Sequence, residues 1–532
     1  MSVFLALLSA ALTAIAIPNE FFLLGVPVAG LVALAPLYIA LRTARSWRQS
    51  ALLCALQTGL VHVLSSWWLG NFHGLGIYTL GASAIGTAFI GLAFGMYQHT
   101  CLRIEHHLLP KPLSFAMLWV IYETTKSSSF FGYPWGTIYM ASYRWHLLTQ
   151  TADISGVYGI SFLLALASAV IGEGILLTGM PQCKNPMRHY AAYICSAHVL
   201  LGLCALAVAH GTLEFLRRPA PQKQLNAVVV QQNIDPWEAP GDEFTIELSQ
   251  RLTEDGIFEF HRQGIRPDIV VWTEGVLRRA FPSAYKRYST IPADEPLTHF
   301  IARTGVPFII GAPFTLDPFT RRNGNSAILF DKTGAVEGWY TKMHLVPMAE
   351  AVPFSDIDPV FLFMASRGMF TGWTRGTRHA AFEIPLDSRA EPQNTITFSI
   401  PICFEDAFPS SCAPLWFAGS EVFINITNDS WSKTKSAEYQ HFVIASFRCI
   451  EYRTPMLRAC NSGYTAVIMP NGLVLTDIPP FTQTHLCAQI PIYARRLTLY
   501  AAYGDWLPCL CMAVMLLFVL WQRFRTPSQT QR

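Results

Sequence analysis

The sequence predicts a multi-span α-helical membrane domain of about eight helices, carrying an inserted soluble α/β domain. Three observations point there. Of 532 residues, 52% are hydrophobic and only 14% charged, with a mean hydropathy of +0.31; a soluble protein of this size carries about a quarter charged residues. The apolar residues are bunched, in seven long runs before residue 218 and one near 504–522. Between them, the chain alternates short β-branched runs with amphipathic segments instead.

Residues 3–17 end at Pro18-Asn19-Glu20 and are followed at once by 21–41, which reads as a tight transmembrane hairpin. A signal peptide would carry a basic residue ahead of the run and a small-residue cleavage site behind it, and neither stands out here. Further spans are expected over 51–69, 77–101, 112–126, 154–179, 190–215 and 504–522. Each approaches the roughly 20 residues that cross a bilayer, with the first and fifth short. Basic residues gather in alternate loops: Arg42, Arg45 and Arg48, then Arg103 and Lys111, then Lys184 and Arg188, then Arg523 and Arg525. Those loops are expected on the cytoplasmic side, with both termini, and residues 220–500 on the opposite face. Lys126, Arg144, Arg217 and Arg218 run against the trend.

Within the spans, Gly86, Gly91 and Gly95 suit close helix packing. Glu123 is an ionisable residue near a span end, and Glu173 has no evident partner. The aromatic loop 130–136 reads as an interfacial belt. A net charge of +3 with no basic stripe argues against a nucleic-acid partner, and twelve scattered cysteines without a C-x-x-C pair support no structural zinc site, no thioredoxin-like motif and no disulfide framework.

The expected boundaries are 1–218 for the first seven spans, 219–500 for the outward domain and 501–532 for the last span and tail. Pro219-Ala220-Pro221 marks the first junction. Strands are expected at 225–231, 268–272, 308–311, 325–331, 336–341, 396–402, 422–426, 456–460 and 464–469. Helices are expected at 242–264, 294–303 and 436–451. Hairpins mixed with crossovers predict a layered α/β domain rather than a purely parallel sheet.

Three residues with complementary chemistry each follow a predicted strand: Glu274, Lys342 and Cys403. Strand ends are where α/β folds assemble active sites. A cysteine needs a base to become a nucleophile, a carboxylate of raised pKa can supply one, and a lysine can hold the oxyanion that forms. Singly, each is more ordinary, Cys403 above all, since most cysteines are small buried hydrophobes.

In that order, and with these flanks, the three residues resemble the Glu-Lys-Cys triad of the nitrilase superfamily. His344-Leu345-Val346-Pro347 with Glu350, Gly132-Tyr133-Pro134-Trp135, Gln232-Asn233-Ile234, Asn428-Asp429-Ser430-Trp431 and Arg458-Ala459-Cys460-Asn461-Ser462-Gly463 resemble its membrane-embedded branch, the apolipoprotein N-acyltransferases. The resemblance implies that the inserted domain is a nitrilase-like α-β-β-α sandwich. It implies that Cys403 is the nucleophile, Glu274 the proton acceptor and Lys342 the oxyanion stabiliser, with Glu350 and Glu405 in support. A phospholipid would be the acyl donor and a diacylated apolipoprotein the acceptor, at the bilayer of a bacterial inner membrane, with the catalytic domain in the periplasm. No cofactor or metal is implied, and a monomer is expected. The sequence departs from the family at Thr273, where proline is usual, at Met348-Ala349, where Phe-Gly is usual, and at Phe404, where tyrosine is usual. Trp237 sits near a family tryptophan, at a shorter spacing from Asn233. The alternative function is a membrane-tethered amidase acting on small amides.

Overall fold

The computed structural model describes the whole chain except residues 73–75, 104–108, 129–131, 180–185, 218, 236–237, 239, 321, 353, 356, 368–371, 387–393 and 526–532. The chain divides into two units: Met1–Arg218 with Thr434–Glu451 and Leu497–Arg532, and Pro219–Lys433 with Tyr452–Arg496.

The first unit is helical. It begins with α1 (Ser2–Ala16), α2 (Pro27–Val32), α3 (Ala35–Thr43), α4 (Trp47–Ser65), α5 (Gly76–Arg103) and α6 (Lys111–Ser127). It continues with α7 (His146–Thr149), α8 (Ala152–Thr178) and α9 (Pro186–Leu216). Among the described residues three helical stretches are long and apolar enough to cross a membrane, Gly76–Leu102, Ala152–Thr178 and His189–Leu216. This corrects the expected eight. α1 has 15 residues, about 22 Å at 1.5 Å per residue, against a hydrocarbon core of about 30 Å. The predicted second span breaks between Val32 and Ala35, and α6 includes Lys111, Glu123 and Lys126 in 17 residues. Trp506–Trp521, like Ser2–Ala16 and Pro27–Thr43, is apolar but short.

The polar groups inside this unit tie elements together. Glu173 does have partners: Arg42 at 2.9 Å and the Tyr38 hydroxyl at 2.6 Å. Buried Glu123 accepts from the Ile138 amide at 2.7 Å and from the Ser161 hydroxyl, while Lys126 Nζ donates to the Trp135 carbonyl at 2.6 Å. Described residues of the 130–136 loop are therefore packed inward. Trp135 is buried and stacks on Tyr133 at 5.3 Å, which corrects the interfacial-belt reading; Phe130 and Phe131 lie outside the described residues.

Among the described residues, the second unit contains two six-stranded mixed sheets. Its elements begin with β1 (Lys223–Gln231), α10 (Asp242–Arg262), β2 (Ile269–Trp272), α11 (Tyr285–Tyr288), α12 (Leu297–Thr304), β3 (Phe308–Asp317), β4 (Arg322–Phe330) and β5 (Val336–Thr341). They continue with α13 (Asp358–Ser366), β6 (Phe382–Pro385), β7 (Thr395–Ser399), α14 (Pro409–Phe417) and β8 (Val422–Thr427). Helix α15 (Lys435–Tyr452) leads to β9 (Met456–Cys460), β10 (Thr465–Ile468), β11 (Val474–Ile478) and β12 (Thr484–Ile492). Nearly all of α15 is assigned to the helical unit, as are α16 (Leu499–Tyr503) and α17 (Trp506–Arg525).

The sheet orders are β12-β1-β2-β3-β4-β5 and β11-β10-β9-β8-β7-β6. Alternate residues of the first sheet, among them Val228, Val230, Trp272, Phe308 and Ile328, join Ile246 and Phe260 of α10 and Phe300 of α12 in one core. Trp272 is fully buried there, and truncating such a side chain costs about 3–5 kcal/mol. Polar links join the two sheets: Thr465 donates to Gln231 at 2.6 Å and Lys223 to the Thr395 carbonyl at 2.7 Å. On the second sheet, Ser420 donates to the Leu415 carbonyl of α14 at 2.8 Å. The order of layers is helix, sheet, sheet, helix.

Candidate active site

Four strand ends converge. β2 runs into Thr273-Glu274, β5 into Lys342, β7 through Ile400-Pro401-Ile402 into Cys403, and β8 into Asn428. The turn at Glu274 is set by Gly275, at φ +71°, and by Gly311 on neighbouring β3. A Cβ on Gly311 would come within 2.3 Å of the Thr273 carbonyl oxygen and 2.6 Å of the Glu274 Cα, so β3 reaches this turn only because that position has no side chain. Cys403 opens a 3-10 turn with φ +47°. That left-handed conformation costs a non-glycine residue about 1–3 kcal/mol and recurs where a side chain must be presented at a site.

The charged groups form one buried group. Lys342, 1% exposed, donates to Glu274 Oε1 at 3.2 Å and lies 2.9 Å from Glu350 Oε2. Asn325 Nδ2 donates to both carboxylates, at 2.7 Å to Glu274 and 3.0 Å to Glu350. The remaining oxygens are also occupied: Glu274 Oε2 accepts from the Asn428 amide and Glu350 Oε2 from the Val346 amide, each at 2.9 Å.

Burial raises the Glu274 carboxyl, Lys342 opposes that shift, and Glu350 adds to it. Burial pulls the Lys342 ammonium down, but the two carboxylates outweigh it and hold the lysine well above its ordinary value. Burial also raises the Cys403 thiol, with the Glu274 charge adding to the shift and Lys342 opposing it. With one ammonium and two carboxylates already present, a thiolate would add a second uncompensated negative charge, so the resting group is the thiol. The arrangement suits transfer of the thiol proton to Glu274 during attack on a carbonyl, with Lys342 beside the developing oxyanion.

The other expected residues separate in role. Glu350 holds Lys342 directly. Glu405 is fully buried and accepts from the Tyr340 hydroxyl (2.9 Å) and from the amides of Met343 (2.7 Å), His344 (3.1 Å) and Ile402 (2.8 Å). It therefore fastens the segment after Lys342 to the turn carrying Cys403. Phe404 is buried edge-on to His344 and to Phe408. Trp237 lies outside the described residues.

Sequence reasoning missed Asn325, and it read Asn428 only as part of a motif. It also missed the grip of Arg458, which lies between Asp406 on the Cys403 turn (3.4 Å) and Asp429 beside Asn428 (3.3 Å), fully buried. The Asn428-Asp429 and Arg458 motifs were visible; their convergence on two loops was not.

Comparison with known proteins agrees at the level of family. Residues 9–170 match the family model described as Apolipoprotein N-acyltransferase N-terminal domain, and residues 292–498 match Carbon-nitrogen hydrolase. The second match contains Lys342, Glu350 and Cys403 and begins after Glu274. The chain is 36% identical to Apolipoprotein N-acyltransferase 2 of Treponema denticola over 540 residues, covering 99% of each chain. It is 37% identical to Apolipoprotein N-acyltransferase 2 of Treponema pallidum, over 95% of this chain and 92% of that one. Solved structures similar to it include a carbon-nitrogen hydrolase from Helicobacter pylori, with a TM-score of 0.36 at 15% identity over 57% of this chain and 95% of that one. An amidase from Nesterenkonia sp. gives a TM-score of 0.34 at 14% identity over 52% and 92%.

Proposed function

The chain belongs to the apolipoprotein N-acyltransferase family, and from that premise we propose a two-step acyl transfer on Cys403. The protein is an acyltransferase of lipoprotein maturation. The supporting observation is the buried Glu274–Lys342–Glu350 group beside a cysteine held at positive φ.

Glu274 accepts the Cys403 proton as the sulfur attacks the ester carbonyl of a phospholipid, and Lys342 stabilises the oxyanion. Collapse expels the lysophospholipid alkoxide, which takes the proton from Glu274 and leaves a thioester on Cys403. The α-amino group of the diacylglyceryl-cysteine then attacks the thioester and gives its proton to Glu274. Collapse forms the amide and returns the thiol. Glu350 positions Lys342, and Glu405 joins the two catalytic segments.

Both substrates are lipids, which accounts for a helical unit embedded in a bilayer. The alternation of basic loops supports a reading with the termini in the cytoplasm and the α/β unit in the periplasm.

The test is acyl transfer from labelled phospholipid to a diacylated lipopeptide. Wild type should yield the triacylated product and Cys403→Ala none. Release of ammonia from small amides without transfer to the lipopeptide would favour the amidase instead.

A further inference from the structure

We propose that Glu259, His485 and Cys487 form a binding site for one divalent transition-metal ion of the zinc class, separate from the candidate active site. The site is built by a strand and the helix that covers it. On edge strand β12, His485 pairs with Val230 and Cys487 with Val228 of β1. Both valines belong to the core under α10, so the imidazole and the thiol, two residues apart, share the face that α10 covers.

Gly256 lets the helix come close. A Cβ there would lie 2.5 Å from Val228 Cγ1 and 3.2 Å from His485 Cδ2. Glu259 follows three residues later on the same helix face, and its Oε2 lies 3.0 Å from His485 Nε2. The Cys487 thiol donates to the Gly256 carbonyl at 3.2 Å. One donor atom from each of the three residues lies within 4.8 Å of the other two.

Ligands bound to zinc at about 2.0–2.3 Å in a tetrahedron are about 3.3–3.8 Å apart, so small side-chain rotations convert one arrangement to the other. Nitrogen, thiolate and carboxylate together suit zinc or cobalt rather than calcium or magnesium, and three protein donors leave a fourth position for water. Binding replaces the thiol proton: the ion gains a bond to sulfur and one proton is released. The ion would clamp α10 to β12, the edge strand of the sheet.

The test uses the full chain in detergent, titrated with Co²⁺ alone and then with Zn²⁺. One equivalent of Co²⁺ should produce a near-ultraviolet thiolate-to-cobalt band with tetrahedral bands in the visible, and Zn²⁺ should displace it. Cys487→Ser should abolish the near-ultraviolet band, while Cys403→Ala should retain it. His485→Ala should weaken Co²⁺ binding by about a hundredfold or more, at or beyond the loss expected for an outer-shell partner. Absence of the band in wild type, or its persistence in Cys487→Ser, would overturn the proposal. These readouts do not depend on acyl transfer.

Discussion

Glu350 sits where a change of one charge moves the candidate base without touching the nucleophile. Burial is the main cause of the raised Glu274 pKa, Lys342 opposes it, and the Glu350 carboxylate adds to it. A base works unprotonated, so kcat/KM should rise with pH through an acid limb lying above the ordinary glutamate value of about 4.3. Glu350→Gln removes a like charge and should move that limb to lower pH, while lowering the rate because Lys342 loses an ion-pair partner. A pH profile of both proteins checks this; a limb that stays in place would separate Glu350 from the base. Lys342 is held well above its ordinary value, so it should add no basic limb below about pH 10. The grouping of Glu274 and Lys342 near Cys403 was legible because a carboxylate, an amine and a thiol each close a strand. Asn325 was not: an asparagine inside a strand signals nothing until β4 lies beside the Glu274 turn and its one amide nitrogen faces two carboxylates.

At the scale of elements, Glu405 joins the segment after β5 to the turn after β7. Glu405→Ala would leave a tyrosine hydroxyl and three amides without their acceptor. Hydrogen bonds to a charged group contribute about 1.5–3 kcal/mol each, but the loss is not additive; a destabilisation of about 3 kcal/mol or more is expected. Thermal unfolding in detergent measures it, and an unchanged midpoint would contradict the structural role. Most strands here were legible from β-branched runs, and β5 and β9 fall where expected. The short β6 and the later strands β11 and β12 were missed. β11 has weak alternation, and β12 mixes His485, Gln489 and Pro491 into an edge strand whose partner, β1, is more than 250 residues earlier. Gly91 and Gly95 do serve helix packing, since a Cβ there would strike Thr58 and Ser50 of α4; Gly86 faces nothing within 4 Å among the described residues.

At the scale of the whole molecule, the proposed membrane arrangement makes a prediction independent of chemistry. A reporter active only in the cytoplasm should work when fused after Arg532, and one active only in the periplasm should work when inserted in the exposed turn at Lys332-Thr333. The opposite pattern would overturn the orientation drawn from the arginines. Composition made the helical half legible, yet it overcounted crossings, because an apolar run does not reveal where a helix breaks, as between Val32 and Ala35, or how far polar residues such as Glu123 and Lys126 are used for internal packing. The central claim is that Cys403 carries the acyl group. Incubating the purified chain with phospholipid labelled in its acyl chains, without acceptor, measures this directly. Wild type should acquire one covalent label that hydroxylamine removes, and Cys403→Ala should acquire none; equal labelling of the two proteins would contradict the account.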